Sequence, residues 1–268
     1  DGDEPGKEQT GQRLREHVEA LAKLQPRLYA NDRYSALLIF QALDAAGKDG
    51  TIRAVLSGVN PVGCQAYAFK APNAEELDHD FLWRVGRNLP ERGRIGVWNR
   101  SHYEDVLVVR VHPEFLDGQR LPRRPKDLKD LWAERYESIR DAEKHWARNG
   151  CVILKFFLHV SQEEQHRRFL DRMDDPESHW KFNPGDLAES KHWKEYMQAY
   201  EDALNATSRP WAPWYAIPAD SKSYMRATVS KLIAKTLEQL ELPFPELGPD
   251  AQAELERARG ELAAELDR

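Results

Sequence analysis

The stretch Leu43-Asp44-Ala45-Ala46-Gly47-Lys48-Asp49-Gly50-Thr51 has the make-up of an anion cradle. It follows an apolar run, Ala36-Leu37-Leu38-Ile39-Phe40, and precedes Ile52-Arg53-Ala54-Val55-Leu56, whose apolar positions repeat at helical spacing. A buried strand, a glycine-bearing turn and a helix start bring backbone N–H groups together around a phosphate. The helix dipole adds positive potential, and Lys48 supplies a full charge. Ala45, Ala46, Gly47, Lys48, Asp49, Gly50 and Thr51 are accordingly the expected phosphate-binding residues. The common pattern G-x-x-x-x-G-K-[ST] would put glycine at Ala42 and a hydroxyl at Asp49, so the loop departs from it twice. Asp44 lies inside the loop, where a carboxylate beside phosphates makes sense only if a metal or a proton offsets the repulsion. The bland alternative is a strand-to-helix turn with a solvated lysine.

A second polar cluster, Asn99-Arg100-Ser101-His102-Tyr103-Glu104-Asp105, stands directly beyond the run Arg94-Ile95-Gly96-Val97-Trp98. Arg100 suits the stabilisation of charge on a transferring phosphoryl group. Glu104 or Asp105 could hold a metal, orient a nucleotide or pair with Arg100, and the sequence does not separate these. His79 and His102 read as structural histidines, and Trp180, Trp193 and Trp214 as packing residues. The basic block from Arg120 to Lys129 reads as a solvated face, with guidance of a polyanion as its sharper alternative.

These residues need a scaffold. Leu14, Val18, Leu21 and Leu24 predict an amphipathic helix over 12–28, after a polar and frayed 1–11. Cys64 to Phe69 reads as a second strand. Asn73 caps a helix that starts at Glu75-Glu76 and continues through Val85. The segment 94–99 is a third strand, and Val106 to Val111 is ambiguous between strand and helix. Asp127 to Asn149 is a long helix, and Cys151 to Leu158 the clearest buried strand. Ser161 and Glu164 form a capping box. Between Asp174 and Lys194 lies a segment crowded with Trp180, Lys181, Phe182 and Trp193. Trp214 to Ile217 is the last strand, Tyr224 to Leu240 a closing helix, and the tail from Pro249 is helical. Strands alternating with helices predict an α/β fold whose mainly parallel sheet is covered on both faces. Ligands then bind at the carboxyl ends of strands, which brings Asn99 to the rim that carries Asp44 and Lys48.

The 268 residues suffice for a large core. A net charge of −6 argues against bulk nucleic-acid binding, and no apolar run reaches the ~18–20 residues needed to span a membrane. Cys64 and Cys151 give no disulfide framework, no signal peptide opens the chain, and a cytoplasmic setting fits best.

Five collinear segments make a family resemblance specific. They are Asp44 to Thr51; Phe69-Lys70-Ala71-Pro72 with His79-Asp80-Phe81-Leu82-Trp83-Arg84; Asn99 to Asp105; Arg172-Met173-Asp174-Asp175-Pro176 with Trp180-Lys181; and Pro213 to Lys222. Together, from about Arg33 to Leu240, the chain resembles the type 2 polyphosphate kinases. The resemblance implies a P-loop kinase-like three-layer α/β/α sandwich over 1–245, with a helical lid over approximately 161–210 and a separate helical tail over 246–268. It implies Mg²⁺-dependent (alternatively Mn²⁺-dependent) transfer between inorganic polyphosphate and nucleoside mono- and diphosphates, by a homodimer or homotetramer. Asp44, Lys48, Arg100 and Arg172 would be catalytic, with Asp44 on the metal. Nucleotide contacts would fall to Lys70, Asn99, Arg100, Tyr103 and Glu104, and polyphosphate contacts to Lys48, Arg100, Arg172 and Lys181. Other members carry Asp at the position of Asn99, which is read here as a polar positioner. An ATP-dependent nucleotide or nucleoside kinase, or a binding module without turnover, would share the phosphate loop.

Overall fold

Alternation along one strand sets the layers. In β1 (Ser35–Ala42) the side chains of Leu37 and Ile39 enter one hydrophobic core, and those of Ala36, Leu38 and Phe40 enter another. A strand apolar on both faces is stable only inside a sheet covered on both sides. The computed structural model, which describes residues 6–181 and 183–267, has that arrangement.

The chain opens with α1 (Lys7–Asn31), β1, α2 (Lys48–Val55), β2 (Cys64–Ala68), α3 (Ala74–Leu77), α4 (Trp83–Gly86) and β3 (Ile95–Asn99). It continues through α5 (Val108–Val111), α6 (Leu128–Arg148), β4 (Cys151–His159), α7 (Gln162–Asp174), α8 (Pro184–Ser190) and α9 (Trp193–Thr207). It closes with β5 (Trp214–Pro218), α10 (Lys222–Glu238) and α11 (Pro249–Leu266). The sheet order is β2-β3-β1-β4-β5 and every pairing is parallel. Leu21 and Leu28 of α1, Val55 of α2 and Met225 to Leu237 of α10 fill one core. Leu131 to Ile139 of α6 and Tyr196 to Ala203 of α9 fill the other. This is the expected three-layer α/β/α architecture of P-loop kinase type.

Four local expectations change. The first helix starts at Lys7, with Thr10 buried, so the residues from there to Gly11 are helical rather than frayed; residues 1–5 lie outside the described residues. The helix after Asn73 is not continuous. Asn73 and Glu76 cap α3 reciprocally, but Asp80 Oδ1 accepts from Leu82 N and turns the chain before α4. The 106–111 segment resolves as the single turn of α5. The Ser161 box is half formed: Ser161 Oγ accepts from Glu164 N, while Ser161 N donates to Asp220 Oδ1 instead of to Glu164. Glu164 is occupied by Arg167 and Arg168. Helix α11 is exposed along its length, and no described helix is long and apolar enough to cross a membrane.

Candidate active site

Lys48 is the first residue of α2, and Gly47 before it adopts φ +93°. A Cβ is strained in that conformation, which explains glycine here. Ala45 is also left-handed, at φ +63°, and does carry a Cβ. Helix α2 thus begins directly out of a tightly wound loop at the carboxyl end of β1. Phe40 of β1 pairs with Asn99 of β3, and Phe40 O accepts from Arg100 N at 3.0 Å. That register sets the two polar clusters side by side.

Arg100 Nη2 lies 3.4 Å from Asp44 Oδ1, and its Nη1 lies 3.7 Å from Glu104 Oε2. Glu104, and then Asp44, raise the pKa of Arg100 further. Burial lowers that of Lys48, and the charge of Arg100 adds to the effect. Burial raises that of Glu104 against the pull of Arg100 and Lys48. Two cations and two carboxylates therefore share one rim, and an incoming polyanion relieves the repulsion between Lys48 and Arg100. Asn99 Nδ2 donates to Asp49 Oδ1 at 2.6 Å, so the carboxylate at the usual hydroxyl position is held by the asparagine of β3.

Two cavities meet at this rim. One, of 680 Å³, is lined by the loop Leu43–Gly50, Lys70, Asn99, Arg172 and Lys222. The other, of 250 Å³, is lined by Glu104, Asn183, Asp186, Tyr196 and Tyr200. Leu43, Asp44 and Arg100 belong to both, so the Asp44–Arg100 pair stands at their junction. Arg172 reaches over the larger cavity from α7, with Nη1 3.2 Å from Asp186 Oδ2. The side chain of Lys181 and the whole of Phe182 lie outside the described residues. No group of three or more His, Cys, Asp or Glu side chains among the described residues is arranged to hold a metal. Asp44, with 35% of its side chain exposed at the junction, suits magnesium, which takes most of its ligands from water and substrate phosphates.

Two expected contacts are overturned. Thr51 is fully buried, and its hydroxyl donates to Gly47 O at 2.9 Å, so its side chain faces the core rather than a phosphate. Tyr103 is also fully buried; its hydroxyl donates to Glu143 Oε1 and accepts from Lys155 Nζ, each at 2.8 Å. It cannot touch a nucleotide in the cleft. His102 is buried and burial lowers its pKa, in keeping with a structural role. Trp214 is buried, whereas Trp180 is 79% exposed. In the basic block Arg120 pairs with Asp78 and Arg124 with Asp117, so part of its charge is neutralised.

Two cleft residues carry little signal in the sequence. Lys222, the last residue of the Pro213 to Lys222 segment, opens α10 at the cleft. Arg168 sits one turn before Arg172, a spacing that points both to one side of the helix, and this signal was available. Asp105, a candidate in the sequence, lies instead buried against Arg135 and Gln119, and burial pushes its pKa up to about 6.

The family model described as Polyphosphate kinase 2 matches residues 4–245. An ADP-polyphosphate phosphotransferase of Rhodopseudomonas palustris is 54% identical over 256 residues, covering 96% of this chain and 89% of that protein. An AMP/ADP-polyphosphate phosphotransferase of Meiothermus ruber is 45% identical over 228 residues, covering 84% and 80% respectively. The crystal structure of polyphosphate kinase 2 from Arthrobacter aurescens superposes with a TM-score of 0.85 at 39% identity, covering 94% of this chain and 87% of that one.

Proposed function

The chain belongs to the polyphosphate kinase 2 family and transfers phosphoryl groups between polyphosphate and nucleotides; we propose that it phosphorylates both AMP and ADP, reversibly, at the junction marked by Asp44 and Arg100. The observation that carries this is one ion pair lining two cavities, with Lys48 on the same rim. Such a junction lets two phosphate chains approach one point from different sides.

The acceptor is a nucleotide phosphate oxygen, already ionised at neutral pH, so no strong base is required. It attacks the terminal phosphorus of polyphosphate, a new P–O–P anhydride forms, and the old one breaks to leave the polymer one unit shorter. One anhydride replaces another, which makes the step reversible. The obstacle is repulsion: like unit charges 4 Å apart cost about 1 kcal/mol in water and about 4 at an effective dielectric of 20. Catalysis is accordingly positioning plus charge neutralisation. Lys48 holds the transferring group, while Arg100 and Arg172 stabilise its equatorial oxygens. Ala45, Gly47 and Gly50 cradle the phosphates, Ala46 shapes the loop with its N–H on Leu43 O, and Lys70, Asn99 and Glu104 orient the nucleotide. Asp44 would hold magnesium, or manganese in its place, which when bound neutralises charge on both chains. Residues 161–210 serve as a lid, and the protein works in the cytoplasm as a homodimer or homotetramer.

The test is a product assay with polyphosphate as sole donor, magnesium, and AMP, ADP or GDP as separate acceptors. ADP formed from AMP, and ATP from ADP, is the expected result. Product only when ATP is supplied would identify an ATP-driven kinase. Binding without product from either donor would identify a module without turnover.

A further inference from the structure

Three successive carbonyls of the phosphate loop are held by one helix. Gln165 Nε2 of α7 donates to Asp44 O at 3.0 Å, and Arg168 Nη1 donates to Ala45 O at 3.1 Å and Ala46 O at 2.9 Å. Arg168 Nη2 donates to Ala219 O at 2.7 Å and Asp220 O at 2.9 Å, and its Nε donates to Glu164 Oε1 at 2.8 Å. A guanidinium has five N–H donors, and all of them are engaged by protein acceptors here. Although Arg168 borders the cleft, it is 6% exposed, and no donor remains for a phosphate. Because a trans peptide sets its N–H opposite to its C=O, fixing these carbonyls on α7 turns the N–H groups of Ala45 and Gly47 away from that helix. The same contacts oppose relaxation of Ala45 out of its left-handed conformation, in which its Cβ is crowded.

We propose that Arg168, seconded by Gln165, is the positioning residue of the phosphate loop: it shapes the loop from the middle of α7 and binds no substrate itself. The inference rests on the proposed use of that loop for phosphate. It explains why arginine stands at 168, since an ammonium has three donors and cannot span four carbonyls on two loops.

The test compares Arg168→Lys, Arg168→Ala and Gln165→Leu with the wild type by steady-state kinetics, thermal unfolding and backbone hydrogen exchange over residues 43–50. Arg168→Lys keeps the charge; we expect faster exchange across the loop and a kcat lower by about tenfold or more, with the KM for polyphosphate within about threefold. Arg168→Ala should fall further and recover part of its activity in millimolar guanidinium. Wild-type kcat and exchange in Arg168→Lys would overturn the proposal, because charge alone would then suffice. A tenfold rise in the polyphosphate KM at unchanged kcat would also overturn it, by making Arg168 a substrate contact. Should the Arg168 variants fail to fold, Gln165→Leu decides: accelerated loop exchange supports the proposal and unchanged exchange refutes it. Exchange needs no turnover, so absence of polyphosphate activity in the wild type would sink the functional reading and leave this test readable.

Discussion

Lys48→Ala is expected to lower kcat for polyphosphate-driven phosphorylation by at least about a thousandfold, ~4 kcal/mol of barrier, while leaving the thermal midpoint unchanged or slightly raised. The ammonium starts α2 and lies beside Arg100, and burial together with that neighbour lowers its pKa. A cation at a helix N-terminus opposes the helix dipole, at a typical cost of about 0.3–1 kcal/mol. The folded protein without substrate thus gains little from Lys48, whereas the bound phosphoryl group gains from it the positive charge of the loop. Asp44→Ala should likewise abolish transfer while the fold survives, because its side chain is 35% exposed and its ion pair with Arg100 is long, at 3.4 Å. Rate and unfolding measurements on the same preparations check both halves. Substantial activity in either purified variant would remove that residue from the site.

Glu143→Gln should act in the opposite sense, with stability lost first. Lys155, fully buried in the middle of β4, donates to Glu143 Oε2 at 2.6 Å, to the Tyr103 hydroxyl at 2.8 Å and to Thr207 O at 3.0 Å. Removing one partner of a buried pair strands the other charge and costs about 3–5 kcal/mol. Lys155→Met should cost a similar amount, and the double variant should recover most of the loss, a coupling that urea unfolding of all four proteins would measure. Burial brings the Lys155 pKa down to about 8, although Glu143 pulls the other way. The unfolded chain holds that proton up to about pH 10.4. Between those values the folded protein has released a proton the unfolded chain keeps, so stability rises with pH across that window and is flat below it. Lys155→Met should lack this slope. Additive single losses would show that the two groups do not depend on each other.

That pair also marks the limit of what the sequence reveals. The phosphate loop, the order of the elements and the convergence of Asn99 on Asp44 are legible because apolar runs and glycine turns follow local rules. Which way each side chain of 101–105 points is not local. These residues form a 3₁₀ turn (His102–Asp105), in which positions three apart share a side. Ser101 and Glu104 both reach Gln41, which donates to Glu104 Oε1 and accepts from Ser101. Tyr103 points elsewhere, into the pocket made by Glu143 of α6 and Lys155 of β4. Its partners lie 40 and 52 residues away, so nothing nearby separates a nucleotide-facing tyrosine from a buried one. The break between α3 and α4 has a similar origin: the apolar spacing permits one helix, and the side chain of Asp80 ends it. The part played by Arg168 is hidden for a related reason: four of its acceptors are backbone carbonyls, which every sequence has.

The most direct measurement is a crystal structure of the wild-type protein with AMP and a methylene-bridged polyphosphate analogue that cannot be transferred. One ligand is expected in each cavity, their facing phosphates meeting beside Asp44 with Lys48 and Arg100 in contact. An ordered analogue bound elsewhere, with the ammonium of Lys48 turned to solvent, would contradict it.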